Sequence, residues 1–382
     1  MSNSYDVIVV GLGAMGSAAA YHLARRGQRV LGIEMFQPGH DQGSSHGYHR
    51  MIRHSSFKDD GYVPLAARAF ELWHEVEEES GKTLLTMTGE VRLLDEARYP
   101  NELAAVETMA ERGFLEQLSE ADLRERFPGF RLREGMSATY EANAGYLRSE
   151  EGIITHCELA QRHGAEIRTG EEVTGIAPEG DGVLVTTTHG SYTAERAVLT
   201  PGCWAPELLA MLGIALPMQV ERRVNGYFRP DRPDLWSLEQ GAPDFLLTVA
   251  EGSFYGMPAV GDVGLKIGLS AGPPTTARTI RRTVDPEEID FLRGVLDRYM
   301  PGASGEEIKH ITCMCTYTRD MDFVIDRLPE HGQIVVACGM SGRGYKFAPV
   351  VGEVLADLAL EGTTRHDIGF LAMSRFLEQA VA

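Results

Sequence analysis

Gly11-Leu12-Gly13-Ala14-Met15-Gly16 joins a continuous apolar run, Tyr5 to Val10, to an Ala-rich stretch from Ala14 to Arg26 that closes at Gly27. The run has strand length, the Ala-rich stretch has helix length, and Gly27 stands where a helix C-cap falls. Arg29 to Glu34 reads as a second strand, so the segments predict one βαβ unit with Glu34 about twenty residues past the glycine loop. In that setting each glycine has a task. Gly11 permits the tight turn, Gly13 lets backbone N–H groups approach a pyrophosphate, and Gly16, with Ala18, Ala19 and Ala20 after it, allows close helix–strand packing. Glu34 is placed to accept hydrogen bonds from a ribose. The pattern by itself says only dinucleotide, and a NAD-dependent dehydrogenase would satisfy it.

The 382 residues, 43% of them hydrophobic, suffice for a large folded core. A net charge of -19 argues against nucleic acid and gives no support for docking on anionic lipid. No stretch reaches the roughly 18 consecutive apolar residues of a membrane span. The first strand begins at about Tyr5, leaving no room for a leader, and the expectation is a cytoplasmic protein. The five cysteines, Cys157, Cys203, Cys313, Cys315 and Cys338, lack the paired spacing of a disulfide scaffold or zinc site. His46, His49 and His54 have no Cys or carboxylate nearby to complete a ligand set, so no metal is expected.

From Tyr62 to Ser80, Leu65, Ala69, Leu72, Trp73 and Val76 recur at helical spacing and Gly81 ends the run. Segments 84–95 and 243–270 look strand-rich. Asp285-Pro286-Glu287-Glu288 is a helix start with a cap, a proline at N1 and acids in the first turn. Gly332 to Cys338 is an apolar strand, followed by a Gly-rich turn and a helix from Val350 to Leu360. The strand Ala197 to Thr200 before Gly202 also suits a nucleotide fold. The fold class predicted is therefore α/β: a Rossmann-like domain assembled from 1–82, 142–215 and 308–382, and a substrate domain from 83–141 and 216–307. The resemblance described next implies that this second domain is α+β and built on a mainly antiparallel sheet.

Blocks spread along nearly the whole chain resemble the monomeric sarcosine oxidase family of flavin amine oxidases, which includes N-methyltryptophan oxidase. They are the N-terminal glycine motif, Gly43-Ser44-Ser45-His46-Gly47 with Arg50-Met51-Ile52-Arg53-His54, and Tyr62-Val63-Pro64-Leu65. Further on come Tyr255-Gly256-Met257-Pro258, Gly264-Leu265-Lys266-Ile267-Gly268, Cys315-Thr316-Tyr317-Thr318 and Gly342-Arg343-Gly344-Tyr345-Lys346-Phe347. The resemblance implies FAD, held by Gly11, Gly13, Met15, Gly16, Glu34, Ser44, His46, Arg50, Met51, Val173, Cys315, Gly342, Gly344 and Lys346. It also implies a thioether from Cys315 to the 8α-methyl of the flavin, and a thiolate can add to that electrophilic carbon. Cys313 is the competing nucleophile, because alternation along a strand puts both thiols on one face.

The same resemblance implies that Lys266 lies against the flavin and activates O2, where a fixed cation stabilises the negative charge that develops on oxygen. Read alone, Lys266 would be a surface lysine. Arg53 and Lys346 are implied as anchors for a substrate carboxylate, fork and point charge together, and Tyr255 and Tyr317 as the lining of the substrate pocket. The implied reaction oxidises a secondary amino acid such as sarcosine by hydride transfer to flavin N5. The imine hydrolyses, giving formaldehyde and glycine from sarcosine, and O2 leaves as H2O2. Oxidation of bulkier or cyclic amino acids, and electron transfer to an acceptor other than O2, remain alternatives. A monomer is expected. Departures from the family fall in the pocket: Ser270 replaces a histidine, and Tyr48-His49 replaces Asp-Thr, so that His49 could compensate. The Thr318 to Asp322 loop is shorter.

Overall fold

The structure is a computed structural model describing residues 4–55 and 60–377. The βαβ unit is present as strand Ser4–Val10, helix Ala14–Arg25 and strand Val30–Glu34. Val7, Ile8 and Val9 are fully buried, as a parallel strand covered on both faces must be. Ser4–Val10 runs parallel to Val30–Glu34 on one side and to Ser191–Leu199 on the other. Beyond Ser191–Leu199 the edge is divided. Gly182–Thr187 pairs antiparallel with its first half, and Ile334–Cys338 pairs parallel with Ala197, Val198 and Leu199. N-terminal, middle and C-terminal segments thus build one eight-stranded sheet, the discontinuous Rossmann-like arrangement expected. Helix Ala14–Arg25 packs between helices Ser149–Arg162 and Ala348–Leu360, and a Cβ on Gly352 would come within 2.6 Å of the Ala18 backbone.

The second sheet has nine strands and is antiparallel except where Asp244–Val249 runs beside Glu90–Asp95. Period-two alternation divides its faces by chemistry. Val91, Leu93, Val224, Phe228, Phe245, Leu247, Phe254 and Ile267 form one face, buried against Ile289, Leu292 and Leu296 of helix Pro286–Tyr299. That helix starts with the predicted cap at Asp285, in a capping box with Glu288. The residues between them in sequence point the other way: Glu90, Asp244, Tyr255, Lys266, Asn225 and Arg223, with Cys313, Cys315 and Tyr317 on the adjoining strand. A sheet face this polar is costly to bury unless its groups find partners.

One sequence-based boundary falls inside a strand, and one sheet was not foreseen. Strand Glu306–Thr318 pairs along its length with Met218–Arg229, so the division at 307/308 falls inside a strand of the second sheet, and Cys315 belongs to that sheet. A three-stranded sheet of His49–Arg53, Ala144–Arg148 and Leu85–Met87 was not anticipated. His-Arg-Met-Ile-Arg carries too much charge to read as a strand, and its partners lie far along the chain. Helix Tyr62–Ser80 ends at Gly81, whose φ is 72°, as the spacing predicts. Among the described residues no helix is long and apolar enough to cross a membrane.

Candidate active site

The glycine loop is shaped as its sequence requires. Gly11 has φ +85°, and a Cβ there would lie 2.6 Å from the Thr200 carbonyl oxygen. Gly16 brings the first helical turn directly over the Gly11 carbonyl. Gly13 caps the helix with open space where its Cβ would be, so the N–H groups of the first turn are accessible to a phosphate. Buried Glu34 accepts from the Leu12 N–H at 2.7 Å and the Phe36 N–H at 2.9 Å. His40 Nε2 also stands 3.5 Å from Oε1, and the acceptor sites left over are of the kind that a hydroxyl can fill.

One cavity runs from this loop to the second sheet. It is lined by Gly11, Gly13, Met15, Glu34, Ser44, Val173, Cys315, Gly342 and Gly344, all read from the sequence as cofactor residues. Gly16, His46, Arg50, Met51 and Lys346 lie outside its lining. Phe36, Cys203, Trp204 and Met340 also line it; apolar packing positions carry no motif and were missed. A helix N-terminus, a buried carboxylate and a thiol at the far end fit FAD.

Beside the cavity the turn from Ser44 to His49 is held by four side chains. Arg50 donates to the carbonyls of Ser44, His46 and His49 at 2.5–2.7 Å. Lys266 donates to those of Gly47 (3.2 Å) and His49 (3.0 Å), Tyr227 donates to Gly47 O at 2.7 Å, and Glu150 accepts from the Gly47 and Tyr48 N–H groups. Arg50 therefore acts on backbone and not in a surface ion pair. Lys266 is 1% exposed, which overturns its reading as a surface lysine. Burial and then the Arg50 charge push its ammonium well below the ordinary lysine range. Gly47, at φ +96°, has no room for a side chain, since a Cβ would lie 2.5 Å from the Tyr227 hydroxyl. Gly47→Ala is expected to lower stability by about 1–3 kcal/mol, measured by denaturant unfolding.

His49 does not compensate in the pocket for the histidine missing at Ser270. Its ring is fully buried, edge-on to Tyr48 (4.4 Å) and Tyr146 (4.7 Å), with neither nitrogen hydrogen-bonded. Burial, then Lys266 and Arg50, lower its pKa to about 2. His54 stacks on Phe70 at 4.0 Å, and burial and Arg50 lower buried His46 to about 4. Among the described residues no three His, Cys, Asp or Glu side chains could hold a metal ion. The loop from Thr318 to Asp322 is tied down by Arg375 on Asp320 and by Arg343 on the Met321 carbonyl.

The two candidate thiols share a face, as alternation demands, and a hydrogen bond. They differ in exposure: Cys313 is buried, whereas Cys315 is partly exposed and opens into the cavity. The bond from Cys315, then Arg50 and Lys266, favours the thiolate at Cys313; the same bond and burial hold the Cys315 proton on.

The two predicted carboxylate anchors meet further along the polar face. Arg53 donates to both oxygens of buried Glu90 at 3.0 Å. Glu141, raised above the usual carboxylate range by burial and by Glu90, accepts from the N–H groups of His54 and Ser55. Burial, then the Arg53 charge, lowers Lys346 to about 7. Sequence reading missed Glu90 and Glu141, whose roles depend on strand pairing. Tyr255 donates to Asn225 Oδ1 at 2.8 Å, and the Tyr317 ring lies 4.9 Å beneath the Arg223 guanidinium; Arg223 and Asn225 were missed as well.

Comparison with known proteins agrees with this geometry. The FAD dependent oxidoreductase family, DAO, matches residues 6–358. The chain is 43% identical to a monomeric sarcosine oxidase of Streptomyces avermitilis over 97% of each chain. It is 36% identical to an N-methyl-L-tryptophan oxidase of Salmonella heidelberg, covering 97% of this chain and 99% of that one. Among solved structures, NikD, an unusual amino acid oxidase essential for nikkomycin biosynthesis, superposes with a TM-score of 0.85 at 27% identity, over 97% of each chain. With the nucleotide cradle, the cavity and full-length relatives in agreement, this chain belongs to the FAD-dependent oxidoreductases of the monomeric sarcosine oxidase and N-methyltryptophan oxidase family.

Proposed function

We propose that the protein is a monomeric oxidase of secondary amino acids, sarcosine or related N-methyl amino acids, with FAD attached through Cys315 and O2 as electron acceptor. The observation that carries this reading is the convergence of Arg53 and Lys346 on the sheet face that also presents Lys266, Tyr255 and Tyr317 and, through Cys315, reaches the cavity. FAD bound there supplies a two-electron acceptor for the substrate C–N bond. Arg53, oriented by Glu90, and Lys346 bind the substrate carboxylate and set the amine beside Tyr255 and Tyr317. The surrounding cations Arg53, Lys346, Lys266 and Arg50 disfavour an ammonium, so the amine is held neutral with its lone pair available and its proton lost to solvent. Cys313 Sγ, which shares a hydrogen bond with Cys315 Sγ, would take its proton if a thioether to the flavin methyl carbon formed, the two electrons released passing to the flavin and from it to O2. The imine product hydrolyses, and an N-methyl carbon leaves as formaldehyde.

Aerobic incubation with sarcosine, other N-methyl amino acids, proline and pipecolate is expected to release peroxide from at least one of them. Absence of peroxide above background from all of them contradicts the reading. Lys346 adds a pH signature. Its ammonium is charged below about 7, so affinity for a simple carboxylate such as propionate is present at lower pH and falls as pH rises through that value. The decline should reach at most about tenfold per pH unit. Titration of the flavin spectrum with propionate measures it, and Lys346→Met should flatten it.

A further inference from the structure

Residues 270–285 leave the second sheet after strand Gly264–Leu269 and reach across to the side of the first sheet before helix Pro286–Tyr299 begins. The second sheet holds this segment from inside. Buried Arg222 donates to the carbonyls of Arg281 and Thr283, both at 2.7 Å, and Thr275 pairs with Val220. The outer contacts lie beside the cofactor cavity. Ala277 and Ile280 pack with Trp204 against Cys203, Val220 and Met314. Arg282 donates to the carbonyls of Asp41 (3.0 Å) and Gln42 (2.9 Å), and Arg278 bridges Glu172 (2.5 Å) and Glu207 (3.0 Å). Arg278, Glu172 and Glu207 all line the cavity. Their place is its Glu34 end, where the nucleotide motif puts the adenosine half, because the Glu171 N–H donates to the Glu34 carbonyl at 3.0 Å. From chain 216–318, the described lining residues are Cys315 and Thr316 at one end and Arg278 at the other.

We infer that residues 270–285 are a strap that docks over the adenosine half of FAD, with Arg278 as its latch, and that its docking sets how tightly the cofactor is kept. The two sides of the strap are held unequally. Arg222 is 3% exposed and its bonds to the strap are sheltered, whereas the Arg278 side chain is half exposed and its ion pairs are of the individually weak kind. The strap therefore parts from the first-sheet side before it leaves its own sheet, as a segment that opens for a ligand must. Arg278 joins two acids from separate segments, Glu172 just before strand Val173–Glu179 and Glu207 in helix Ala205–Ala210, so the latch also fixes the width of the cavity there. With Cys315 at the far end, the second sheet grips the cofactor at both ends. The strap's role is independent of which amine is oxidised.

The test uses flavin-free protein from riboflavin-starved cells, carrying Cys313→Ser and Cys315→Ser so that no thioether forms. Arg278→Gln in that background is expected to weaken FAD about three- to tenfold, the scale of losing two largely exposed ion pairs, and to leave FMN, which lacks the adenosine half, within about twofold. Quenching of flavin fluorescence measures both. Unchanged FAD affinity overturns the inference, as does FMN weakened as much as FAD, the result expected if Arg278 only braces the fold. Where FMN binds too weakly to compare, trypsin decides. FAD should slow cleavage after Arg281 and Arg282 by about tenfold or more in the parent and far less in Arg278→Gln. Cleavage that FAD slows equally in both proteins, or in neither, overturns the inference.

Discussion

Replacing Cys315 with serine is expected to move the yellow colour from the acid-precipitated pellet to the supernatant, while Cys313→Ser leaves it in the pellet. Spacing on the strand cannot distinguish the two sulfurs, since both point from one face. Exposure does. Cys315 is the one free cysteine that is not fully buried, and it lines the cavity that begins at the glycine loop. Cys313 lies behind it, hydrogen-bonded to Asn225 at 3.6 Å and close to Arg50 and Lys266, where a thiolate is favoured but the cavity is out of reach. That arrangement suits a base better than a nucleophile. The Cys313 variant should therefore complete attachment more slowly, followed as the time course of acid-stable yellow colour after adding FAD to apoprotein. Colour that stays in the pellet of Cys315→Ser and leaves that of Cys313→Ser would reverse the assignment.

Lys266→Met is expected to slow reoxidation of the reduced protein in air by about 10²–10³-fold, the usual effect of removing one preorganised charge from the place where negative charge develops. Anaerobic bleaching by substrate should change far less, which separates a role towards O2 from a role in substrate binding. The charge is costly to keep. Lys266 is buried next to Arg50, which lowers its affinity for a proton, and it is held by two backbone carbonyls. A group with a lowered pKa is cationic only below that value. Reoxidation should therefore slow as pH rises through it, at a pH below the ordinary lysine range, and Lys266→Met should show no such step. Equal slowing of bleaching and reoxidation would assign Lys266 to holding the Ser44 to His49 turn alone.

Local features were legible where short-range chemistry determines them. The Gly11 to Gly16 turn, the helix stop at Gly81 and the cap at Asp285 each depend on a few adjacent residues, and each lies where the sequence places it. The polar sheet face was not legible in the same way. Arg223, Asn225 and Glu90 sit in segments that read as ordinary strands, and their importance arises from pairing partners remote in sequence. Lys266 shows the difference most sharply. Composition makes it a surface lysine, while alternation beside Leu265 and Ile267 permits it to turn inward, and the carbonyls that hold it come from a turn at the other end of the chain. His49 shows the reverse: a residue that looks available in the sequence is packed between two tyrosines.

The central claim, oxidation of a secondary amino acid with O2 as acceptor, is tested most directly by one two-stage titration. Purified yellow protein is mixed anaerobically with sarcosine, an N-methyl amino acid, proline or pipecolate, and air is then admitted. The account predicts that at least one substrate bleaches the flavin and that air restores the colour, with one peroxide formed per substrate consumed. Bleaching by none of them, or colour restored only by an artificial electron acceptor and not by air, would contradict it.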